Sequence, residues 1–153
     1  MVKYYTFELW GDQSPEAEKQ WLRNDKAYYE RVKFLKKRIS DEAYKILVEK
    51  GFHDYTLNEL KVIQEGYDFR KWKIKVEMVV TNEIETWKIK VENVKKIFIN
   101  HNGTSDDTGF DDWGYEELLD VDESTLSFEI LFASGSTILL HFPNNNIFVK
   151  QIK

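Results

Sequence analysis

The sequence predicts an α+β protein: N-terminal helices packed on a meandering antiparallel β-sandwich or open barrel of about eight strands. Three observations carry this reading. Apolar residues recur at helical spacing up to Gly51; the period then falls to two; and the alternating segments follow one another with only local turns between them, which suits antiparallel pairing. A chain of 153 residues, 42% hydrophobic and 15% aromatic, is sized for one domain with a proper core. Residues 1–153 are therefore read as a single domain, with a helical lead over 1–51 and a β-rich part over 52–153.

The first helix opens at Ser14, a capping residue, with Pro15 at the first helical position, where a missing N–H costs nothing. Trp21, Tyr28, Val32, Leu35 and Ile39 fall on one stripe, while Lys33, Lys36 and Lys37 lie off it, so the aromatic side packs on a flat neighbour. A second, shorter helix starts at Ser40 or Asp41 and stops at Gly51, a residue that closes a helix cheaply. Strands are then expected over 55–64, 69–80, 85–91, 95–100 and 113–119, the first having a helix as its alternative. In LSFEILFASGSTILLHF, Leu126, Phe128, Ile130 and Phe132 alternate with polar residues. After a turn at Ser134-Gly135 the pattern resumes with Ile138, Leu140 and Phe142, which reads as a hairpin with one buried face. A turn at Pro143 leads to a last strand over 146–151.

The hexapeptide WKIKVE occurs twice, at 72–77 and 87–92. Its alternation puts Trp, Ile and Val on one face and Lys, Lys and Glu on the other. Two such strands make a hairpin. A two-residue turn would oppose Lys73 to Lys90 and Lys75 to Lys88, whereas a four-residue loop over 81–84 opposes Lys73 to Glu92 and Glu77 to Lys88, leaving only Lys75 facing Lys90. Cross-strand pairs contribute roughly 0.2–1 kcal/mol each, so the four-residue loop is the expectation. It sets Ile74 against Val91, Val76 against Ile89 and Met78 against Trp87. Trp72 and Trp87 then point inward, away from the lysines, so the repeat is read as shape and not as a groove where bases stack beside a basic track. No nucleic acid partner is expected.

There are no cysteines, which removes disulfides, thiol nucleophiles and thiolate zinc sites. No apolar run approaches membrane-spanning length and the N-terminus lacks a signal-peptide pattern, so the expectation is a cytoplasmic protein without a membrane partner. The net charge of -5 is unevenly spread: residues 101–153 hold 2 Lys and 10 Asp or Glu, a local charge of -8. Such an end repels phosphate backbones and attracts basic surfaces.

The richest constellation is NHNGTSDDTGFDDWGYEE, with Asp106, Asp107, Asp111, Asp112 and Glu116 as candidate partner-binding residues and His101 and Glu117 beside them. Oxygen-rich loops hold calcium, but this spacing lacks the alternation and closing glutamate of the helix-loop-helix calcium site. Neither a cofactor nor a metal is expected from it. His53, His101 and His141 are scattered. Ser134 and Ser136 flank a hairpin glycine and not a strained strand-to-helix turn. Glu116 and Glu117, as strand neighbours, face opposite ways and cannot act as an acid and base pair. No catalytic residue is assigned. Trp113 and Tyr115 share parity with Leu119 and are expected in the core.

The segments KYYTFELW, GFHD at 51–54, VENVKKIFI at 91–99, WGYEELL at 113–119 and the terminal FEILFASGSTILLHF with its closing strand resemble a bacterial family of Bacillus-type organisms with no assigned activity. The resemblance implies a helical lead and a β-rich remainder laid out as in some toxin-immunity proteins, with a cytoplasmic binding role and no active site to carry over. The expectation is thus a non-enzymatic interaction module whose acidic surface binds a basic protein, in an immunity-type role. The alternative is a calcium- or carbohydrate-binding β-sandwich.

Overall fold

The computed structural model describes residues 2–66 and 71–153. Two four-stranded antiparallel sheets face each other as an open sandwich, with three helices packed on them. The helices are α1 (Phe7–Gly11), α2 (Pro15–Val32), which tightens into a 3₁₀ stretch over Lys33–Arg38, and α3 (Asp41–Tyr44), which widens into a π-turn over Lys45–Lys50. The strands are β1 (Thr56–Gly66), β2 (Trp72–Thr81), β3 (Thr86–Val91), β4 (Lys96–Asn100), β5 (Trp113–Asp120), β6 (Thr125–Phe132), β7 (Thr137–Pro143) and β8 (Ile147–Gln151). The segment expected as a strand or helix over 55–64 is strand; the start of the next, at Phe69, lies outside the described residues.

The caps act as their sequence indicates. Ser14 Oγ accepts from Ala17 N and Ser40 Oγ from Ala43 N, while Gly51 ends the π-turn at a φ of 71°. The stripe Tyr28, Val32, Leu35 and Ile39 is buried. The short helix α1, which periodicity does not reveal, is capped by Thr6.

The strand order departs from a simple meander: β1-β2-β3-β8 in one sheet and β4-β7-β6-β5 in the other. The last strand returns to β3, and β4 pairs with β7 rather than with its sequence neighbours. The core lies between the sheets. Val76, Met78, Ile89 and Val91 of the first meet Phe128, Ile130, Ile138 and Leu140 of the second, all at 0% exposure. Phe52, also sealed, sits 5.6 Å from Trp113 and 6.2 Å from Trp87, so one ring touches an indole of each sheet.

The WKIKVE hairpin keeps its predicted faces and its four-residue loop, but the loop is 82–85 and not 81–84. Glu77 therefore faces Lys90, Val76 faces Val91, Met78 faces Ile89 and Val80 faces Trp87. Turn chemistry overrides the cross-strand charge count: Asn82 Oδ1 accepts from Ile84 N (2.9 Å) and Glu85 N (2.7 Å), and the Thr81 and Thr86 hydroxyls meet at 2.9 Å. Glu77 still pairs with Lys88, now diagonally, and Lys75 with Glu65 at 2.8 Å. The lysine rows are therefore woven into glutamates on the outer face of this sheet.

Trp87 is buried, but Trp72 is 65% exposed, against expectation. It shares the parity of the inward residues, yet the β1–β2 ribbon runs on past the sandwich, and its ring lies over its cross-strand partner Gly66.

β5 also departs from the expected alternation. Trp113 pairs with Phe132 and Tyr115 with Leu131, so Gly114 is an extra residue, a β-bulge that switches parity. Trp113 faces the core, as expected. Tyr115 and Leu119 face out and are covered by the N-terminal segment and α2. Tyr115 packs on Tyr5 (5.0 Å), Trp10 (5.2 Å) and Trp21 (4.7 Å). A Cβ at Gly114 would stand 2.5 Å from the Trp10 ring and 2.8 Å from Leu131 O. Gly114→Ala is expected to destabilise by about 1–3 kcal/mol, as overpacking does, read as a lower urea midpoint; an unchanged midpoint would show that the bulge tolerates a side chain.

Candidate functional site

The acidic residues of the C-terminal third separate into two groups. Asp106, Asp107, Asp111 and Asp112 are exposed on the loop over 101–112, which crosses the end of the second sheet from β4 to β5. Its base is fastened at several points. His101 Nδ1 lies 2.7 Å from Ser136 Oγ and its Nε2 2.7 Å from Thr108 O. A carbonyl can only accept, so Nε2 carries the proton and Nδ1 accepts from the serine. Phe110 stacks on Phe132 (5.0 Å), Ser134 Oγ donates to Phe110 O (2.6 Å), and Ala133 N donates to Asp112 O (2.8 Å). This is a latch: Ser136 is buried and a carbonyl stands where a catalytic triad would place a carboxylate.

Within the loop, Asp107 Oδ1 accepts from Gly109 N and Asp111 Oδ1 from Asp112 N. Asp111 adopts a positive φ of 68°, a conformation Asp tolerates. Among the described residues, none of the four carboxylates has an ion-pair partner, and no cluster of three or more His, Asp or Glu is gathered to hold a metal ion.

Glu116, expected on the same surface, is not there. Beyond the bulge it points to the inner side of β5, where Oε2 accepts from Trp113 Nε1 at 2.9 Å and Oε1 fills the space left by the missing side chain of Gly51. Glu117 goes the other way and is 1% exposed. Its carboxylate accepts three backbone N–H groups, from Lys3 (2.8 Å), Tyr4 (2.8 Å) and Tyr5 (2.9 Å), which pins the N-terminal segment to the sheet. Asp120 pairs with Arg31 at 3.2 Å, Asp122 caps the turn before β6, and Glu129 is buried. Five of the ten acidic residues counted in the local charge thus serve the fold, and of the other five, four stand on the loop and Glu123 on the turn before β6.

Glu116 forms the floor of a small cleft, about 130 Å³, walled by Tyr5, Asp25, Tyr29, Lys50, His53 and Tyr115. Tyr5 Oη donates to Asp25 Oδ1 at 2.6 Å, and burial together with that carboxylate raises the phenol well above its ordinary range. His53 Nδ1 donates to Gly114 O at 2.7 Å, leaving Nε2 toward Asp54. Burial pushes the Glu116 carboxyl up to about 7, against the pull of the Trp113 and Phe52 N–H donors and of His53. Sequence reasoning missed this grouping, because it depends on the bulge. The available signal was a glycine inside an alternating strand. Trp113 is sealed in the core, while Tyr115 is half-buried against Tyr5 and Trp21 and lines the cleft.

Compared with family models, curated proteins and solved structures, the chain finds no match. The functional reading therefore rests on geometry.

The raised Glu116 carboxyl makes stability depend on pH in a definite direction. The native state holds this proton more tightly than the unfolded chain, whose carboxyl has the ordinary value of 4.5. Its contribution is full below 4.5 and is lost as pH rises toward 7, with a ceiling of about 3 kcal/mol. Glu116→Gln, which keeps an acceptor for Trp113, is expected to flatten this decline. Urea unfolding of both proteins at pH 5 and pH 8 checks it: parallel losses would show that Glu116 is not the group responsible.

Proposed function

We propose that this protein is a non-enzymatic interaction module that binds a basic protein through Asp106, Asp107, Asp111 and Asp112. One observation carries the reading: four carboxylates stand exposed and without cationic partners among the described residues, on a loop held down by His101, Phe110 and Ser134. Pre-ordering of the loop lowers the entropy lost on binding, and concentrated like charge draws an oppositely charged partner from a distance. An immunity-type inhibitor, the form implied by the sequence resemblance, is the biological role this surface suits. Glu116 is left out of the surface and assigned to the fold.

The reading is tested with the full chain immobilised and exposed to native lysate. Wild type is expected to retain a basic protein at low salt and release it at about 0.5 M, where the screening length falls to a few ångströms. The variant Asp106→Asn/Asp107→Asn/Asp111→Asn/Asp112→Asn is expected to retain none. Equal retention by wild type and variant would refute the assignment of the loop.

A further inference from the structure

The sandwich has four outer strands, β1 and β8 in one sheet, β4 and β5 in the other. Exposed strand edges recruit other strands, and proteins cover or blunt them. Three of the four are managed here. The free edge of β5 is occupied: Leu118 N donates to Tyr28 Oη (2.9 Å), Asp54 N donates to Trp113 O (2.9 Å) and Trp113 N to Tyr55 O (2.8 Å). α3 packs against β8. β1 carries a bulge between Leu57 and Glu59 and the charges of Glu59, Lys61 and Glu65.

β4 has none of these devices beyond Lys96 at its start. It pairs with β7 on one side, and on the other no backbone hydrogen bond from any described loop or turn reaches Lys96–Asn100. Four of its five residues are exposed, Phe98 at 54% and Ile99 at 41% among them. An edge whose register with its inner neighbour is unbroken over Lys96–Asn100, and which carries apolar side chains, is the kind that pairs.

We infer that β4 is a dimerisation edge that pairs antiparallel with β4 of a second copy across a two-fold axis at Phe98. The occupant follows from charge. Antiparallel pairing brings Lys96 of one copy, next to a Lys95 whose ammonium donates to Thr125 Oγ1 of its own chain (3.4 Å), to the end of the other copy's β4, from which its acidic loop departs. Parallel pairing would set Lys96 beside Lys96 and the two acidic loops side by side. The strand with its flanks, basic before the apolar run and acidic after it, is therefore complementary to itself in one direction only. Such an isologous pair closes on itself and joins the two β5-β6-β7-β4 sheets into one continuous sheet, leaving no further bare edge of this kind to propagate a fibre. This inference goes beyond the loop reading and stands apart from it.

The test uses the full chain in sedimentation velocity over a range of concentrations. Wild type is expected to move from monomer to dimer. Phe98 is exposed on the outer face, so Phe98→Lys and Phe98→Glu leave the core untouched, but each sets two like charges face to face on the axis. Each variant alone is expected to dimerise at least about tenfold more weakly than wild type, and an equimolar mixture of the two is expected to recover the dimer. A wild type that stays monomeric, or a mixture no better than either variant alone, overturns the pairing. Neither result bears on the acidic loop, whose capture of a basic protein is scored with the Asp→Asn variant.

Discussion

The facing of every β5 side chain beyond Trp113 depends on one extra residue, Gly114. Without the bulge, Trp113 and Tyr115 would share a face, and Glu117 would lie with them toward the core. With it, the indole enters the sandwich against Phe52 and Phe132, while Tyr115 turns outward to receive Tyr5, Trp10 and Trp21. The same shift sends Glu116 inward to Trp113 Nε1 and Glu117 outward to the first backbone amides of the chain. The helical lead is held to the β-rich part by these aromatic contacts, by the Glu117 anchor and by the Arg31–Asp120 pair. A glycine is required because the Trp10 ring and the Leu131 carbonyl close on the space where a Cβ would stand.

This arrangement changes what the acidic composition means. Counted along the chain, the last third is strongly negative, yet burial and backbone donors absorb Glu116, Glu117 and Glu129, while Arg31 and the β6 turn absorb Asp120 and Asp122. A carboxylate that accepts three amide protons inside the fold projects little field into solvent. The loop over 101–112 differs because its carboxylates bond only to its own turn amides, while its attachment is delegated to His101, Phe110 and the Asp112 carbonyl. Adhesion and presentation are thus divided between different side chains, so the four aspartates can be changed without loosening the loop's base.

The outer face of the first sheet shows the complementary economy. Its lysines, conspicuous in the repeated hexapeptide, meet Glu65, Glu77 and Glu92 at ion-pair distance. Lys88 holds the Glu77 carboxyl below its ordinary range. Lys50 and Tyr55 bring Glu85, at the end of the β2–β3 loop, down to about 2, which ties that loop to the π-turn after α3. Charge on this sheet and its loops knits the elements together, whereas charge at the end of the other sheet is left open.

Periodicity and caps alone determined the class of the fold, the start of α2, the stop at Gly51, the hairpin joining β6 to β7 and the shared parity of Trp, Ile and Val in each WKIKVE copy, because these follow from interactions within a few residues. The same local reading located the loop of Asp106, Asp107, Asp111 and Asp112. Strand order was decided only in three dimensions: no local signal tells β8 to return to β3 or β4 to lie beside β7, since those pairings are fixed by which apolar faces can be covered together. Tertiary structure also left Trp72 in solvent where the ribbon outruns the sandwich, and withdrew Glu116 from the acidic surface, whereas the hairpin register was set locally, by the turn bonds of Asn82. For Glu116 a single inserted residue, and for Trp72 a strand end that no facing sheet covers, outweighed a pattern whose period assumes an unbroken and covered strand.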